Sequence, residues 1–192
     1  MSFWQFIVED GSALPNSNSY ASLEEIDSYF ALRMNKDWAH ILDDDPNDPK
    51  FIANPNHPVF TADDKKIAFL VMATAYIELR FGPNFIGFRA TDMQALSWPR
   101  YNTLKGFDCV IPKEIKYATF EYALRAINGP LAPDLAKDSA GAGRFISHEQ
   151  VGPLITKYQM DKDKTSVQLF PDYPLADNWL MPLLHSTNRC YR

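Results

Sequence analysis

The spacing of apolar residues predicts three amphipathic helices. Apolar side chains recur every three to four positions after Ser22, after Thr61 and after Pro112, which is typical of a helix that buries one face. The first helix is expected over residues 23 to 34. Its buried stripe would consist of Ile26, Tyr29, Phe30 and Met34. The stripe of the third would consist of Ile115, Ala118, Thr119, Tyr122, Ala123 and Ala126.

Local start and stop signals agree with these helices. Ser22 with Glu25 three positions later forms a capping box, which satisfies two amides of a first helical turn. Thr61 precedes an acidic first turn, and Pro112 suits the first position of a helix. The second and third helices are each expected to stop at a Gly-Pro pair, because such a pair cannot continue a helix. These pairs are Gly82-Pro83 and Gly129-Pro130.

The other segments predict irregular chain, a hairpin and a last helix. Turn formers fill residues 8 to 20, so this stretch is expected to be an ordered, extended arm. Asp and Pro dominate residues 43 to 60, which indicates a long surface loop. Two short strands around Val151-Gly-Pro153 form a hairpin, and a Pro-interrupted helix follows over residues 173 to 184.

Together these segments predict a mainly α fold with one core. We expect a small helical bundle with an extended N-terminal arm, a short β-hairpin and a C-terminal helix plus tail, because a chain of 192 residues falls within the usual size of one domain. The expected boundaries are residues 1–21 for the arm, 22–136 for the helical core, 137–170 for the hairpin and linker, and 171–192 for the C-terminal helix and docking tail.

Composition excludes several classes of protein. A net charge of −5 argues against a general phosphate-binding surface. The two cysteines, Cys109 and Cys190, are too few for a disulfide framework or a zinc site. No basic segment precedes the apolar N-terminus, so no signal peptide is expected, and the longest apolar stretch is too short to cross a bilayer. We therefore expect no membrane partner.

No motif nominates a catalytic or metal site. The acidic run from Asp43 to Asp48 resembles a calcium loop but lacks its glycine and its final glutamate. The histidines are scattered, and no nucleophile elbow or phosphate loop occurs. Cys109 lies between apolar residues and is expected to be an inert core thiol. The sequence therefore predicts no enzyme activity, no metal and no cofactor.

Residues 80 to 107 depart from the acidic balance of the chain. Arginines alternate with aromatic residues there, and cations combined with stacking rings are what single-stranded nucleic acid requires. In that interpretation Arg89, Trp98 and Arg100 would contact the nucleic acid. In the alternative, the aromatic rings pin a loop to the core and the arginines extend outwards. A third interpretation of the same segment is a protein interface.

Four segments, taken together and in order, resemble a family of tailed-phage proteins. They are Val8-Glu-Asp-Gly with Leu14-Pro and Asn18-Ser-Tyr, Leu96-Ser-Trp-Pro-Arg100, the helix from Ile111-Pro to Arg125, and Val151-Gly-Pro153. Members of this family are often labelled DnaT-like single-stranded-DNA-binding proteins and are encoded among head morphogenesis genes as head-to-tail connectors. The resemblance implies a mainly helical, non-enzymatic adaptor that forms a ring, in the family a dodecamer, beneath the portal.

The resemblance also implies partners and a location. The expected partners are the portal protein, a downstream neck or tail-completion protein, further copies of this chain, and genome DNA that passes through the ring without sequence-specific binding. The location is the virion neck, after assembly in the host cytoplasm. The alternative function is single-stranded-DNA binding in phage replication. We expect portal docking by Asn188, Arg189, Tyr191 and Arg192, and contacts between subunits by Phe3, Trp4, Leu14 and Tyr20.

Overall fold

The computed structural model confirms a mainly α protein. It describes residues 5–48, 58–103, 108–132, 148–151, 154–157 and 172–185. The helices are α1 (Leu23–Ala31), α2 (Lys36–Ala39), α3 (Ala62–Phe81), α4 (Lys113–Ala126) and α5 (Pro174–Leu180). Two short 3₁₀ turns follow α3 and α5, at Gly82–Asn84 and Met181–Leu183. The strands are β1 (Phe88–Arg89), β2 (Arg100–Tyr101), β3 (His148–Val151) and β4 (Leu154–Lys157).

The chain divides into two compact units. The first contains Met1–Gly129 and Asp172–Arg192, and the second contains Pro130–Pro171. The predicted hairpin lies in the second unit, where β3 and β4 pair antiparallel with Val151 opposite Leu154. All five helices lie in the first unit, and α4 is central there because it packs against both α3 and α5.

The helix starts predicted at Ser22 and Thr61 are confirmed by their caps, whereas Pro112, predicted at the first helical position, lies one residue before α4. The Ser22 hydroxyl accepts from the Glu25 amide, while the Glu25 carboxylate accepts from the Ser22 amide at 3.0 Å. Thr61 and Asp64 form the same reciprocal pair at the start of α3. Each box satisfies amides that would otherwise lack a partner in the first turn, so the sequence signal and the fold coincide.

The first helix is shorter than the apolar pattern predicts. It ends at Ala31, and Met34 adopts a left-handed backbone with φ +50° and is 88% exposed, so its predicted burial is wrong. The chain turns there because Asn35 starts a new helix by accepting from the Trp38 amide at 2.9 Å. Trp38 on α2 is buried against Phe30, whereas Met34 stays outside the core.

Two acidic residues of the predicted surface loop, Asp43 and Asp44, accept hydrogen bonds from amides at the start of α3. The Asp43 carboxylate accepts from the Ala62 amide at 2.6 Å, and Asp44 accepts from the Phe60 amide at 3.0 Å while it pairs with Lys65. Negative charge at a helix N-terminus is favoured by the helix dipole. Among the residues that the structure describes, no group of three His, Cys, Asp or Glu side chains is suited to hold a metal ion.

The N-terminal segment is ordered, and it doubles back on itself. The Glu9 amide donates to the Ser19 carbonyl at 2.8 Å, and the Asn18 amide donates to the Ile7 carbonyl at 2.8 Å. Glu9 is buried, although it is ionisable. Its carboxylate accepts from the amides of Gly11, Ala13 and Leu14 and from the Ser17 hydroxyl, at 2.9 to 3.0 Å. One side chain therefore closes this segment into a loop.

Candidate interaction surface

A two-stranded ribbon follows the C-terminal end of α3. β1 and β2 pair antiparallel, with Phe88 opposite Tyr101 and Arg89 opposite Arg100. Residues directly opposite each other on an antiparallel pair point to the same face, and successive residues point to opposite faces. The ribbon therefore has an arginine face and an aromatic face.

The side chains of the arginine face bind backbone carbonyls of the same chain. The Arg100 guanidinium donates to the carbonyls of Phe85, Ile86, Gly87 and Ser97 at 2.7 to 3.2 Å. Burial lowers the pKa of Arg100 from its usual value. The Arg89 guanidinium donates to the Gln94 carbonyl and, at 3.4 Å, to the Leu96 carbonyl. Both guanidinium groups bind backbone carbonyls of the same chain, but Arg100 is buried and Arg89 is exposed. Arg100 therefore does not take the outward position expected for a phosphate contact or in the alternative interpretation.

The aromatic face is turned outward. Phe88 is 69% exposed and Tyr101 is 48% exposed, and Met93 in the connecting loop is also exposed. A hydrogen bond between the Tyr101 hydroxyl and the Cys109 thiol raises the pKa of Tyr101. Two adjacent aromatic rings in solvent form a surface suited to bury against a partner. We call the side chains of Phe88 and Tyr101 the aromatic face.

Trp98 belongs to the core. It is fully buried beside Phe85, with ring centroids 5.9 Å apart, so it does not reach a nucleic acid. Its amide donates to the Tyr20 hydroxyl at 3.3 Å, and that hydroxyl donates to Glu78. Tyr20 is also fully buried. Its side chain therefore packs inside its own subunit and is not exposed to a neighbouring one.

The ribbon requires a glycine at residue 87. Gly87 has φ +77°, and a Cβ added there would lie 2.2 Å from the Tyr101 carbonyl oxygen. A side chain would strain the backbone and collide with the opposite strand. The close approach of the two strands therefore depends on the absence of a side chain.

Replacing Gly87 with alanine is expected to lower the free energy of unfolding by about 2 kcal/mol more than the same change at Gly129, because forcing extra atoms into a packed site costs about 1–3 kcal/mol. Gly129→Ala is the matched control, since Gly129 also has positive φ but no atom within 4 Å of the added Cβ. Urea denaturation followed by circular dichroism measures both. Equal losses in the two variants would show that the collision with Tyr101 contributes nothing.

The last described residues pair with the chain just before the ribbon. Phe85 and Leu184 form an antiparallel bridge. The Ile86 amide donates to the Leu183 carbonyl, and the His185 amide donates to the Asn84 carbonyl, both at 2.9 Å. The segment after His185 therefore starts beside the ribbon.

Cys109 is exposed, which corrects its expected place in the core. It has φ +58°, and its amide donates to the Arg100 carbonyl at 2.9 Å. A left-handed residue changes the direction of the chain, and here the turn directs the thiol into solvent beside Tyr101. The apolar neighbours in the sequence did not reveal this turn.

Most described cations bind groups of the same chain. Arg33, Arg89 and Arg100 donate to backbone carbonyls. Five others form ion pairs, namely Lys65 with Asp44, Lys66 with Asp27, Arg80 with Asp177, Lys116 with Glu25 and Arg125 with Glu121. These eight side chains have internal electrostatic partners, which reduces their value for binding phosphates.

A buried polar cluster joins α3, α4 and α5. Asp177 on α5 accepts from the Arg80 guanidinium at 3.1 Å and from the Tyr122 hydroxyl. Arg80 also donates to the Tyr76 hydroxyl at 2.7 Å. Burial and the hydrogen bond to Asp177 raise the pKa of Tyr122. This cluster attaches the C-terminal helix to the rest of the bundle.

Stability is expected to fall above about pH 10, where tyrosine ionises in an unfolded chain. Burial raises the pKa of Tyr20, Tyr29 and Tyr122 in the folded protein. The unfolded state therefore loses protons first as pH rises, and the stabilisation that is complete below pH 10 is progressively lost. Urea midpoints at pH 8 and pH 11 measure this, and Tyr122→Phe should show a smaller drop. Identical wild-type midpoints would contradict the expectation.

Several predicted contact residues lie outside the described part of the chain. Leu14 is half-buried, and its carbonyl accepts from the Ala95 amide at 2.9 Å. The expected docking and subunit contacts outside the described ranges are Phe3, Trp4, Asn188, Arg189, Tyr191 and Arg192. Sequence reasoning missed the aromatic face, because each strand of the ribbon has only two residues and shows no alternation of apolar and polar positions.

Of the described helices, none has both the length and the apolar composition needed to cross a bilayer.

The chain matches one protein-family model. A family model described as "Putative DnaT-like ssDNA binding protein" matches residues 4–56 and 49–192, which together cover nearly the whole chain. No curated protein and no solved structure matches.

Proposed function

The chain belongs to this DnaT-like family, and we propose that it serves as a structural head-to-tail connector of a tailed phage, binding protein partners through the aromatic face and the C-terminal tail. The partners are the portal protein, a downstream neck or tail-completion protein and further copies of this chain in a ring, by the resemblance a dodecamer. The ring lies in the virion neck and surrounds genome DNA without sequence-specific contacts. The protein has no enzyme activity in this role.

The orientation of the ribbon is the observation that carries this proposal. Its arginines bind backbone carbonyls of the same chain, with Arg100 buried and Arg89 exposed, while Phe88 and Tyr101 face solvent. Protein interfaces are enriched in aromatic anchors at their centres and depleted in charge. Since eight described cations already have internal partners, a protein partner suits this surface better than a polyanion. The phage assignment itself is supported by the four resembling segments.

A head-joining assay tests the connector. Portal-containing heads that lack this protein are supplied with wild-type chain or with variants, and joined particles are counted. Deletion of residues 186–192, or the double change Phe88→Ser with Tyr101→Ser, should reduce joining more than about tenfold, as expected for interface anchors. Leu32→Ser is the matched control, because Leu32 is also an exposed apolar residue but lies at the end of α1. Unimpaired joining by both variants would refute the proposal.

Single-stranded-DNA binding is the second candidate function, and the family description favours it directly. Phe88 and Tyr101 would then be a stacking platform, since bases stack on exposed aromatic rings regardless of sequence. In this function Phe88 and Tyr101 would contact the DNA in place of Trp98 and Arg100, because the latter two are buried. It requires phosphate contacts from cations other than the eight with internal partners.

Fluorescence anisotropy with a labelled oligonucleotide separates the two functions. The connector predicts no saturable binding of single-stranded DNA even at low salt. The DNA-binding function predicts affinity that falls steeply with salt, and a loss of about tenfold in Phe88→Ala, since stacking contributes about 1–3 kcal/mol per base. Salt-dependent binding that Phe88→Ala weakens would support the second function over the first.

A further inference from the structure

We infer that α3 binds a second copy of this chain through its solvent-exposed side, in a two-fold, antiparallel dimer. The contact consists of Ala68, Met72, Ala75 and Leu79, which we call the outer face of α3. A two-fold contact closes on itself and cannot propagate a ring, so this dimer is a contact beyond those of the proposed connector. It depends on neither candidate function.

The outer face of α3 is exposed and entirely apolar. Met72 is 41% exposed and Leu79 is 76% exposed, and Ala68 and Ala75 are exposed as well. These residues are four, three and four positions apart, which is the spacing of a helix seam that packs on another helix. The opposite side of α3 lies in the core through Leu70, Ala73, Ile77 and Phe81. A helix that is apolar on both sides is normally covered on both sides, which indicates a partner for the outer face.

Charged residues that border the outer face have partners in the same chain. The Glu78 carboxylate accepts from the Tyr20 hydroxyl and, at 3.0 Å, from the Ser97 amide. The Lys65 ammonium pairs with Asp44 at 2.8 Å. These internal bonds leave apolar contacts as the main source of binding, so the face suits an apolar helix and not a polyanion.

The side chains of the outer face alternate in size, and this alternation argues for a second copy as the partner. From residue 68 to residue 79 their order is small, large, small, large. When two copies run antiparallel about a two-fold axis, Ala68 of one lies opposite Leu79 of the other, and Met72 lies opposite Ala75. Each large side chain then fills the space over a small one. In a parallel pair, large side chains would meet each other and leave gaps between the alanines.

The size of the face sets the strength of the dimer. The four residues extend over about 17 Å of helix axis. Leu42 is exposed and continues the apolar surface towards the start of α3, since its carbonyl accepts from the Lys65 ammonium at 2.6 Å. Stable interfaces bury about 800 Å² per partner, which is more than one helix face of this length supplies. We therefore expect a reversible dimer with a Kd in the micromolar range.

Sedimentation velocity of the full chain over a range of concentrations tests the dimer. Wild type should shift from monomer to dimer as its concentration rises through the micromolar range. Met72→Glu should raise the Kd at least about tenfold, because each dimer would then bury two unpaired charges. Leu32→Glu is the matched control and should dimerise like wild type, because Leu32 is also exposed but lies at the end of α1. A wild type that stays monomeric throughout, or association that Met72→Glu leaves unchanged, would overturn the inference.

Disulfide trapping tests the antiparallel arrangement. Ala68→Cys and Leu79→Cys are made separately in a chain that carries Cys109→Ser and Cys190→Ser. Diamide removes one hydrogen from each of two thiols and is itself reduced to the hydrazine, and a disulfide forms only where the Cβ atoms lie about 4 Å apart. An equimolar mixture of the two variants should therefore give a disulfide that links one chain of each kind.

Ala68→Cys alone is the control for this trapping. Its two introduced thiols would lie about 17 Å apart along the axis of an antiparallel pair, so it should give little dimer. Non-reducing electrophoresis and mass spectrometry measure the products. A mixed product no more abundant than the product of Ala68→Cys alone would overturn the antiparallel dimer. Neither assay uses phage heads or DNA, so failure of the proposed function leaves both results interpretable.

Discussion

Replacing Asp177 with alanine is expected to lower the free energy of unfolding by about 4 kcal/mol, which is typical of removing one partner from a buried ion pair. Asp177 is 9% exposed, and it accepts from the guanidinium of Arg80 and the hydroxyl of Tyr122. Without the carboxylate, the buried Tyr122 hydroxyl loses its acceptor and the half-buried Arg80 guanidinium loses its most buried carboxylate partner. Urea denaturation at neutral pH, followed by circular dichroism, measures the loss.

Asp172 provides the matched control for this change. It also pairs with Arg80, at 3.5 Å, but its side chain is 79% exposed. Exposed ion pairs contribute about 0–1 kcal/mol, so Asp172→Ala should remain close to wild type. If both variants lost the same stability, long-range charge and not burial would account for the effect. Loss of α5 docking should also release the pairing of Leu183 with Ile86, which hydrogen exchange at the Ile86 amide detects.

Replacing Glu9 with alanine is expected to destabilise the protein by about 3 kcal/mol and to open the N-terminal loop. The buried carboxylate accepts from three amides and one hydroxyl, and each buried donor left without an acceptor costs about 1–3 kcal/mol, offset where water enters. All three amide donors belong to a left-handed residue or directly follow one, with φ +100° at Gly11 and +63° at Ala13. The carboxylate therefore holds an otherwise unfavourable backbone, and hydrogen exchange at Gly11, Ala13 and Leu14 reports its loss.

Asp10 is the control for Glu9. It is the adjacent acid, and its carboxylate accepts from the Ser12 amide at 2.9 Å in an exposed position. Its hydrogen bonds with Ser12 lower the pKa of Asp10, yet Asp10→Ala should change stability by less than about 0.5 kcal/mol. Loss of protection in both variants would indicate that negative charge in the loop matters more than the buried acceptor.

The sequence predicted those parts of the fold that depend on neighbours along the chain. The capping boxes at Ser22 and Thr61 involve residues three apart, and the structure contains both. The hairpin around residues 151 to 154 depends on a tight turn and was also found. Local hydrogen bonding decides these features, so residue types at short spacing are sufficient to reveal them.

Features set by distant contacts were not predictable in this way. Arg100 binds the carbonyls of residues 85 to 87, and Tyr20 meets Glu78 across the core. Arginine is usually exposed, so composition favoured an outward position that the clustered carbonyl oxygens overrode. Nor did the apolar pattern show that Met34 and Cys109 take left-handed angles, because neither residue type favours them. The sequence therefore pointed to the segment that contains the candidate surface, but it nominated Trp98 and Arg100, which are buried, and not Phe88 and Tyr101.

The pairing of residues 84 to 86 with residues 183 to 185 has a consequence for synthesis of the protein. The chain emerges from the ribosome N-terminus first, so the helices up to α4 are made before the strand partner of Phe85 exists. Contacts of such high sequence separation also form late, because closing a long loop costs entropy. A nascent chain, or one truncated before residue 183, thus lacks the backbone contacts that flank the ribbon, so the surroundings of the ribbon are completed only after the rest of the bundle has been made.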